Sequence, residues 1–337
     1  MNRDRPKPVT IHEVAAHAGV SIATVSRALS GSVTVASATR ERVLAAVEAL
    51  RFRPSRLGQS LAEGRHAANG IVFPDLSGPY YAEVVLGYEE IAAELGSSVL
   101  ILATHGRPDP TWRVLDLARR VDGMVLMGRT VPDSVVSQIA DAGMPVVLVA
   151  RPAVGESDTV SVDNDLGTRG LVEHLLGHGY ERFAFVGDPA ESPDVASRYA
   201  GFRAALLEKG CRPPSEPLRC AFDVASGQQA AVGALRRADR PQVLVCGNDE
   251  TALGALEAAA ELGLSVPDDV AITGWDDVMA ARYAGLTTVR QPMRTLGATA
   301  ARWLQERIAG APVPVRRQVL QTQLIVRASC GSHDHEQ

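Results

Sequence analysis

Lysine is almost missing from this chain: Lys7 and Lys209 are the only two in 337 residues, and neither follows a glycine or precedes Ser or Thr. A phosphate-cradling P-loop needs Gly-Lys-Ser/Thr, so that class of nucleotide enzyme is excluded. No Gly-x-Gly-x-x-Gly follows an apolar run, no His-Glu-x-x-His occurs, and no nucleophile elbow of the form Gly-x-Ser-x-Gly is present. Dinucleotide enzymes, zinc proteases and serine hydrolases therefore lack their signatures. No apolar stretch approaches the ~20 residues a membrane helix requires, because Gly, Pro or charge interrupts each one. The opening MNRDRPKPVT carries positive charge with no apolar run behind it, which argues against a secretory signal. Cysteine is sparse: Cys211, Cys220, Cys246 and Cys330 form no Cys-x-x-Cys pair and are expected as reduced thiols in the cytoplasm.

What is present suits a globular chain of two or three domains. It is 46% hydrophobic and 22% charged, enough for a sizeable buried core. The net charge of −5 conceals an asymmetry. Residues 1–65 hold ten Lys/Arg against five Asp/Glu, and the remainder holds 24 against 34. A basic head on an acidic body fits a nucleic-acid module attached to a part that does not touch nucleic acid.

The spacing in the head is sharper than its charge. Thr10-Ile11-His12-Glu13 has the form of a capping box. Ile11, Val14, Ala15 and Ala18 then share one helical face, and Gly19 supplies a tight turn, with Val20 as an apolar anchor between helices. Ser21 can cap a second helix, Ile22 to Leu29, with Val25 and Leu29 inward and Ile22, Ala23, Ser26 and Arg27 outward. A third helix is expected around 38–50, with Val43, Val47 and Leu50 on its apolar stripe. Helix, glycine turn, helix is the geometry that lays a second helix in the major groove. A small helical bundle without a DNA role is the plainer reading of the same residues.

VTIHEVAAHAGVSIATVSRALSG followed by TRERVLAAVEALRFRPSRLGQSLA resembles, without a gap, the head and hinge of the lactose/galactose-repressor (LacI/GalR) family of transcriptional regulators. The likeness continues almost to the C-terminus. It implies that Ile22, Ala23 and Arg27 read bases. Arg27 can donate two hydrogen bonds to guanine, and the apolar pair can meet a thymine methyl. It implies phosphate contacts for His12, Thr24 and Ser26, with Ser21 and Ser30 also at the DNA face. Arg56 and Leu61 fall in a hinge helix within 54–65, where a leucine wedges into the minor groove and bends the duplex. Three residues depart from the pattern. Gly58 replaces alanine, at a cost of roughly 1 kcal/mol to a hinge helix. Ala36 replaces a serine cap, a role Ser37 is expected to assume, and Glu13 replaces aspartate.

After Arg65 short apolar runs alternate with helical stretches. Strands are expected at 70–73, 98–102, 123–127, 145–149, 183–187, 242–247 and 270–275, with helices at 82–95, 166–176, 198–209 and 250–262. Val/Ile/Leu-rich runs bounded by Gly, Pro or Asp predict parallel strands covered on both faces, hence βαβ units. The resemblance implies two Rossmann-like lobes of the periplasmic-binding-protein type, with crossings near 161–165 and 288–296. Effectors of such sheets bind beyond the carboxyl ends of the strands. By resemblance, Tyr80, Tyr81, Arg151, Arg198, Phe222, Asn248, Asp276 and Arg290 hold the effector, a sugar or sugar derivative. Carboxylate, amide and guanidinium groups pair with ring hydroxyls, and aromatics cover the ring's apolar face. Each has a plainer alternative: Asp249 and Asp276 as helix caps, Arg198 as an ion-pair partner, Tyr81 as core. Ala150 stands where sugar binders often carry aspartate.

His174 and His178 are four residues apart, but Gly177-His178-Gly179 reads as a helix stop with a structural histidine, and Cys330 with His333 and His335 reads as a frayed tail. No metal, cofactor or membrane association is expected. The expected division is a head over 1–53, a hinge over 54–65, a body over 66–330 and a tail over 331–337. Within the body, the first lobe takes about 66–162 and 292–326, and the second about 163–290. The expected function is that of a non-enzymatic regulator, a homodimeric repressor on a near-palindromic double-stranded operator, switched by its effector. A periplasmic-type solute-binding protein or a sugar-modifying enzyme on a similar body are the alternatives. Residues 10–62 speak against the former.

Overall fold

The computed structural model describes residues 9–29, 35–52 and 66–331. The chain divides into two compact units between Ala67 and Ala68.

The first unit is helical: α1 Ile11–Ala18, α2 Ile22–Leu29 and α3 Ser37–Ala49. The capping box forms as read. The Glu13 amide donates to Thr10 Oγ1 and the Thr10 amide donates to Glu13 Oε2 at 2.7 Å. Gly19 ends α1 at φ +65°, a left-handed position that a side chain strains, and the Val20 amide reaches back to the Ala15 carbonyl. Val14, Ala15, Ala18, Val25, Ala28, Val43, Ala46 and Phe52 form the core. The cap of α3 differs from expectation: Ala36 holds the N-cap position without a side-chain bond, and Ser37 is already the first helical residue.

The second unit is α/β. In chain order it comprises β1 Ala68–Phe73, α4 Pro79–Glu94, β2 Ser98–Ala103, α5 Pro110–Ala118, β3 Gly123–Met127, α6 Asp133–Asp141, β4 Val146–Val149 and β5 Asp158–Val162. Next come α7 Asn164–Gly177, β6 Phe183–Val186, α8 Pro193–Glu208, α9 Val224–Leu235, β7 Val243–Cys246, α10 Asp249–Glu261, β8 Ala271–Asp276, α11 Met279–Tyr283 and β9 Thr287–Arg290. It closes with α12 Met293–Ile308, β10 Arg317–Leu320, β11 Gln323–Ile325 and a 3-10 turn, Ala328–Cys330. The strands form two sheets, β10-β5-β4-β3-β1-β2 and β11-β9-β8-β7-β6. All pairings are parallel except β11 against β9. β1, β3, β4, β6 and β7 are buried along their whole length, as strands covered by helices on both faces must be. Each sheet accordingly has an apolar cluster on either side. No disulfide joins the four cysteines. Among the described residues no helix is long and apolar enough to cross a membrane.

Helices α4 and α12 pack until their backbones touch. A Cβ on Gly87 would lie 2.0 Å from the Arg294 carbonyl, and one on Gly297 would lie 2.0 Å from the Val84 carbonyl.

The chain crosses between sheets three times: at 163, between β5 and α7; at 291–292, between β9 and α12; and at 321–322, between β10 and β11. The first two fall where the sequence places them. The third corrects the expected lobe boundary, because β11 belongs to the second lobe rather than the first, and the terminal 3-10 turn packs there as well. Four strands, β5, β9, β10 and β11, escape the apolar-run criterion because they carry Asp158, Thr287–Thr288, Arg317 and Gln318, or Gln323. Asp158 is tolerated in the interior because Arg307 and Arg316 both reach it at 2.8 Å, joining β5, α12 and the start of β10. Burial acts to raise the Asp158 pKa, but the two guanidiniums and the Arg316 amide outweigh it and hold the carboxyl below its ordinary value.

Asp158→Asn should destabilise the body by about 3 kcal/mol or more, since Arg307 loses its counter-charge and Arg316 keeps only Glu306 in a largely buried setting. A depressed carboxyl contributes stability above its unfolded pKa and loses it as pH falls through the folded value. The wild-type advantage over D158N in urea unfolding should therefore be full at neutral pH and shrink on acidification below ~4. An advantage that does not vary with pH would remove Asp158 from this role.

Candidate effector cavity and DNA-reading face

In the first unit, α2 turns Val25 and Ala28 into the core, which leaves Ile22, Ala23, Ser26 and Arg27 exposed along the opposite face. Leu29, expected inward, is only half-buried. The Ser21 hydroxyl accepts from the Thr24 amide at 3.2 Å and pairs with the Thr24 hydroxyl at 2.9 Å, so both serve the start of α2. Arg27 Nε donates to the Ala23 carbonyl, which lays the guanidinium along its own helix. His12 is exposed on α1. Ser30, Arg56, Leu61 and the rest of the hinge lie outside the described residues.

In the second unit the carboxyl ends of strands from both sheets open on one cavity of about 520 Å³, within the range of small-molecule sites. Helix N-termini converge there as well. Ser192 caps α8, Asp223 caps α9 and Asn248 caps α10, and all three line the cavity. Of the residues singled out on sequence, Tyr80, Tyr81, Arg198, Phe222, Asn248 and Asp276 line it together.

The helices start earlier than the apolar pattern suggests, and this decides several positions. α4 begins at Pro79, so Tyr80 and Tyr81 sit in its first turn, edge to face at 5.1 Å. α8 begins at Pro193, so Arg198 lies more than a turn inside the helix and Asp194 lies one turn before it on the same face. Arg198 is buried. Its Nε donates to Asn164 at 2.8 Å, Nη1 donates to the Gly247 carbonyl at 2.7 Å, and its plane lies 4.4 Å from the Trp275 ring. Asp276 ends β8 at φ +116° and accepts from Gln291 Nε2. Burial drives the Asp276 carboxyl well above its ordinary range; Arg198 opposes the shift, and Asp249 and Glu250 add to it. Asp194 is likewise raised by burial against the pull of Arg198 and of the Asn164 amide. Tyr80 Oη and Gln291 Oε1 are buried and have no hydrogen-bond partner among the described residues. They are polar groups to which a ligand can bond.

Two expected contacts are elsewhere. Arg151 is buried against α6, bonded to Asp133 and to the Val131 carbonyl at 3.3 Å, and does not line the cavity. Its neighbour Ala150, at φ +53°, takes the lining position. Arg290 is exposed and paired with Asp277 at 2.6 Å; the lining residue is Gln291, one place further on, just beyond the end of β9. Asn248 is at the wall but already committed: Oδ1 accepts from the Thr251 amide, and Nδ2 donates to the Phe222 carbonyl and to Glu250. The helix cap is thus Asn248, whereas buried Asp249 holds Thr288 and the Val278 amide and is pushed up to about 7, chiefly by burial. Asp194, Gln291, Asp75 and the Arg219–Asp188 pair also line the wall and were not singled out. The Asp194–Arg198 spacing was available as a signal; nothing local marks Arg219.

A helix-turn-helix unit and a two-lobed α/β unit with a polar cavity between its sheets define the class of DNA-binding regulators governed by a small molecule. Residues 10–55 match the model for bacterial regulatory proteins of the lacI family, and residues 172–330 match the periplasmic binding protein-like domain. The chain is 32% identical over 308 residues to catabolite control protein A of Priestia megaterium, covering 88% of this chain and 91% of that protein. The lac repressor dimer bound to operator and the anti-inducer ONPF superposes with a TM-score of 0.84 at 29% identity, covering 97% of this chain and all of that one. The transcriptional regulator CelR in complex with cellobiose superposes at 0.71 with 31% identity, covering 95% and 99%. The chain belongs to the LacI family. It is a DNA-binding transcriptional regulator with an effector-binding body, and not an enzyme.

The raised carboxyls have a consequence that can be measured. A carboxyl whose folded pKa exceeds its unfolded value binds its proton more tightly when folded. Its contribution is complete below the ordinary value of 3.8 and is withdrawn as pH rises through the folded value. Stability of the unliganded protein should fall as pH is raised from ~4 toward neutrality, and Asp276→Asn should flatten that decline while weakening effector binding more than ~10-fold. Thermal melts across pH with and without effector test both halves. An unchanged slope would show that Asp276 is not the group concerned.

Proposed function

We propose that this regulator is a homodimeric repressor of a near-palindromic operator and that its effector is a sugar or sugar derivative. The observation that carries the effector class is the wall chemistry. Buried Asp276 and Asp194 face the single guanidinium of Arg198, with Tyr80, Tyr81 and Phe222 beside them. Vicinal hydroxyls satisfy such a set as donors and acceptors together, and the aromatic faces cover the C–H side of a ring. The structural neighbour that carries cellobiose supports the same class. Arg219 and Arg129 at the rim leave room for an anionic substituent on the sugar.

Dimerisation is supported by apolar groups at the surface. β2 is an edge strand, yet Leu100 and Ile101 are 36% and 44% exposed there, and Leu86 of α4 and Leu95 at its C-cap are exposed as well. On the second lobe Met279 and Tyr283 of α11 are 75% and 82% exposed. Edges and patches of this kind are covered in a stable soluble protein. The operator-bound neighbour is a dimer. A two-fold dimer presents one head to each half-site, hence the near-palindrome. In this scheme effector binding changes the angle between lobes and thereby the spacing of the two hinge segments, a coupling for which ~1–3 kcal/mol suffices. Ile22, Ala23 and Arg27 read bases, His12, Thr24 and Ser26 hold phosphates, Ser21 and Ser30 belong to the DNA-binding face, and Arg56 and Leu61 act in the hinge.

Selection of DNA sites from a random pool, with and without a panel of sugars, tests the whole scheme. One palindrome whose enrichment a single sugar alters is the expected result. A palindrome indifferent to every sugar would retain the regulator and overturn the effector class. Arg27→Ala should cost ~1–3 kcal/mol at one base position and relax preference there, whereas His12→Ala should weaken binding evenly across sequences. Ile101→Lys should convert the dimer to monomer in sedimentation and abolish operator binding with it; a dimer that persists would place the interface elsewhere.

A further inference from the structure

The sequence reads His174 and His178 as a helix stop and Cys330 as the edge of a frayed tail. Folding brings the three together. His174 lies in the last turn of α7 and His178 is its C-cap, four residues on, so both rings project from one face. The 3-10 turn Ala328–Cys330 crosses that face and places Cys330 Sγ 3.3 Å from His174 Nε2. The ligand atoms of the three residues all lie within 4.8 Å of one another. In a tetrahedral zinc site, with Zn–S about 2.3 Å and Zn–N about 2.0–2.1 Å, donor atoms stand roughly 3.5 Å apart.

We propose that His174, His178 and Cys330 form a binding site for a divalent transition ion of the zinc type, one that fastens the C-terminal end of the body to α7. Two imidazoles and a thiolate are a borderline-soft donor set. They suit Zn²⁺ or Co²⁺ and offer nothing to Mg²⁺ or Ca²⁺, which require oxygen. A histidine that merely ends a helix needs no thiol at its ring nitrogen, and the surroundings hold these groups in place. Tyr180 Oη donates to the Cys330 carbonyl at 3.1 Å, and the Thr287 hydroxyl lies 3.0 Å from Sγ. Ser329 is fixed by its hydroxyl to the Ile272 carbonyl at 2.5 Å and accepts from the Thr287 amide at 2.9 Å. Gly331, at φ +129°, lies so close to His178 that a Cβ there would meet the ring at 3.0 Å. Such supporting contacts orient ligands and set affinity. Cys330 is fully buried while both histidines reach solvent in part, which gives an ion a path of entry. None of the three lines the effector cavity.

The test is a Co²⁺ titration of the reduced, metal-stripped, full-length protein. One equivalent should produce tetrahedral d–d bands together with a thiolate-to-cobalt charge-transfer band, both abolished by Zn²⁺ and unaffected by Mg²⁺. Zn²⁺ should also raise the melting temperature of the wild type. His174→Ala and His178→Ala, which leave the core intact, and Cys330→Ser should each weaken Co²⁺ by more than about 100-fold, beyond the ~10–100-fold lost with a supporting partner. The proposal fails if no charge-transfer band develops or if the histidine variants bind as well as wild type. It also fails if binding is lost in the double variant H333A/H335A but not in H174A or H178A, because the metal would then belong to the tail sequence alone.

Discussion

The effector-binding body depends on one buried guanidinium. Arg198 sits among Asp194, Asp276, Asn164 and the Trp275 ring, with the Gly247 carbonyl closing its coordination. Two carboxyls compete for one positive charge in a setting that penalises every charge left without compensation. Both carboxyls are pushed upward in pKa, and burial is the largest cause in each. The cavity therefore holds under-compensated polar groups to which a ligand can bond. Stability is given up at this wall so that a ligand can restore it, a common exchange at binding sites.

The wall is also mechanical. Asn164, which accepts from Arg198 and donates to Asp194, is the first residue of α7, directly after the first crossing between lobes. Gln291, which donates to Asp276, lies in the second crossing. Thr322, in the third, donates to the Asp163 carbonyl in the first at 3.1 Å. A ligand that alters the charge balance around Arg198 and Asp276 thus acts on side chains fastened to the segments that join the two lobes. In the proposed scheme recognition and the change of lobe angle draw on the same few hydrogen bonds, which is what a binding event needs if it is to bias two conformations differently.

Rigidity elsewhere makes such a response directional. α4 and α12 touch backbone to backbone through Gly87 and Gly297, and Asp158 clamps α12 and β10 onto β5. The first lobe is therefore a single block carrying the exposed edge β2. The second lobe has its own closure in the terminal 3-10 turn, which packs against β8 and β9. Tight packing on either side leaves the crossings as the place where the proposed change of lobe angle would occur.

The local patterns of the chain determined a great deal. The capping box at Thr10, the glycine turn at Gly19 and the outward Ile22–Ala23–Ser26–Arg27 face follow from residues within one or two turns of each other. So do the seven apolar strands, six of them buried on both faces with no polar alternation to confuse them, and the exposed edge strand β2 still apolar in sequence. Tertiary structure decided whatever depends on partners distant in sequence. Asp158 can stand in a strand only because Arg307 and Arg316 arrive about 150 residues later. Arg151 left the cavity because Asp133 holds it, and Gln291 replaced Arg290 because Asp277 holds the arginine outside while Gln291 bonds to Asp276. His174 and His178 acquired their meaning only when Cys330 was carried to them across the second lobe. Short-range periodicity fixes which face of an element is apolar, while the choice of partner for a buried charge or a ligand atom is made by the packing of elements that the chain itself does not place side by side.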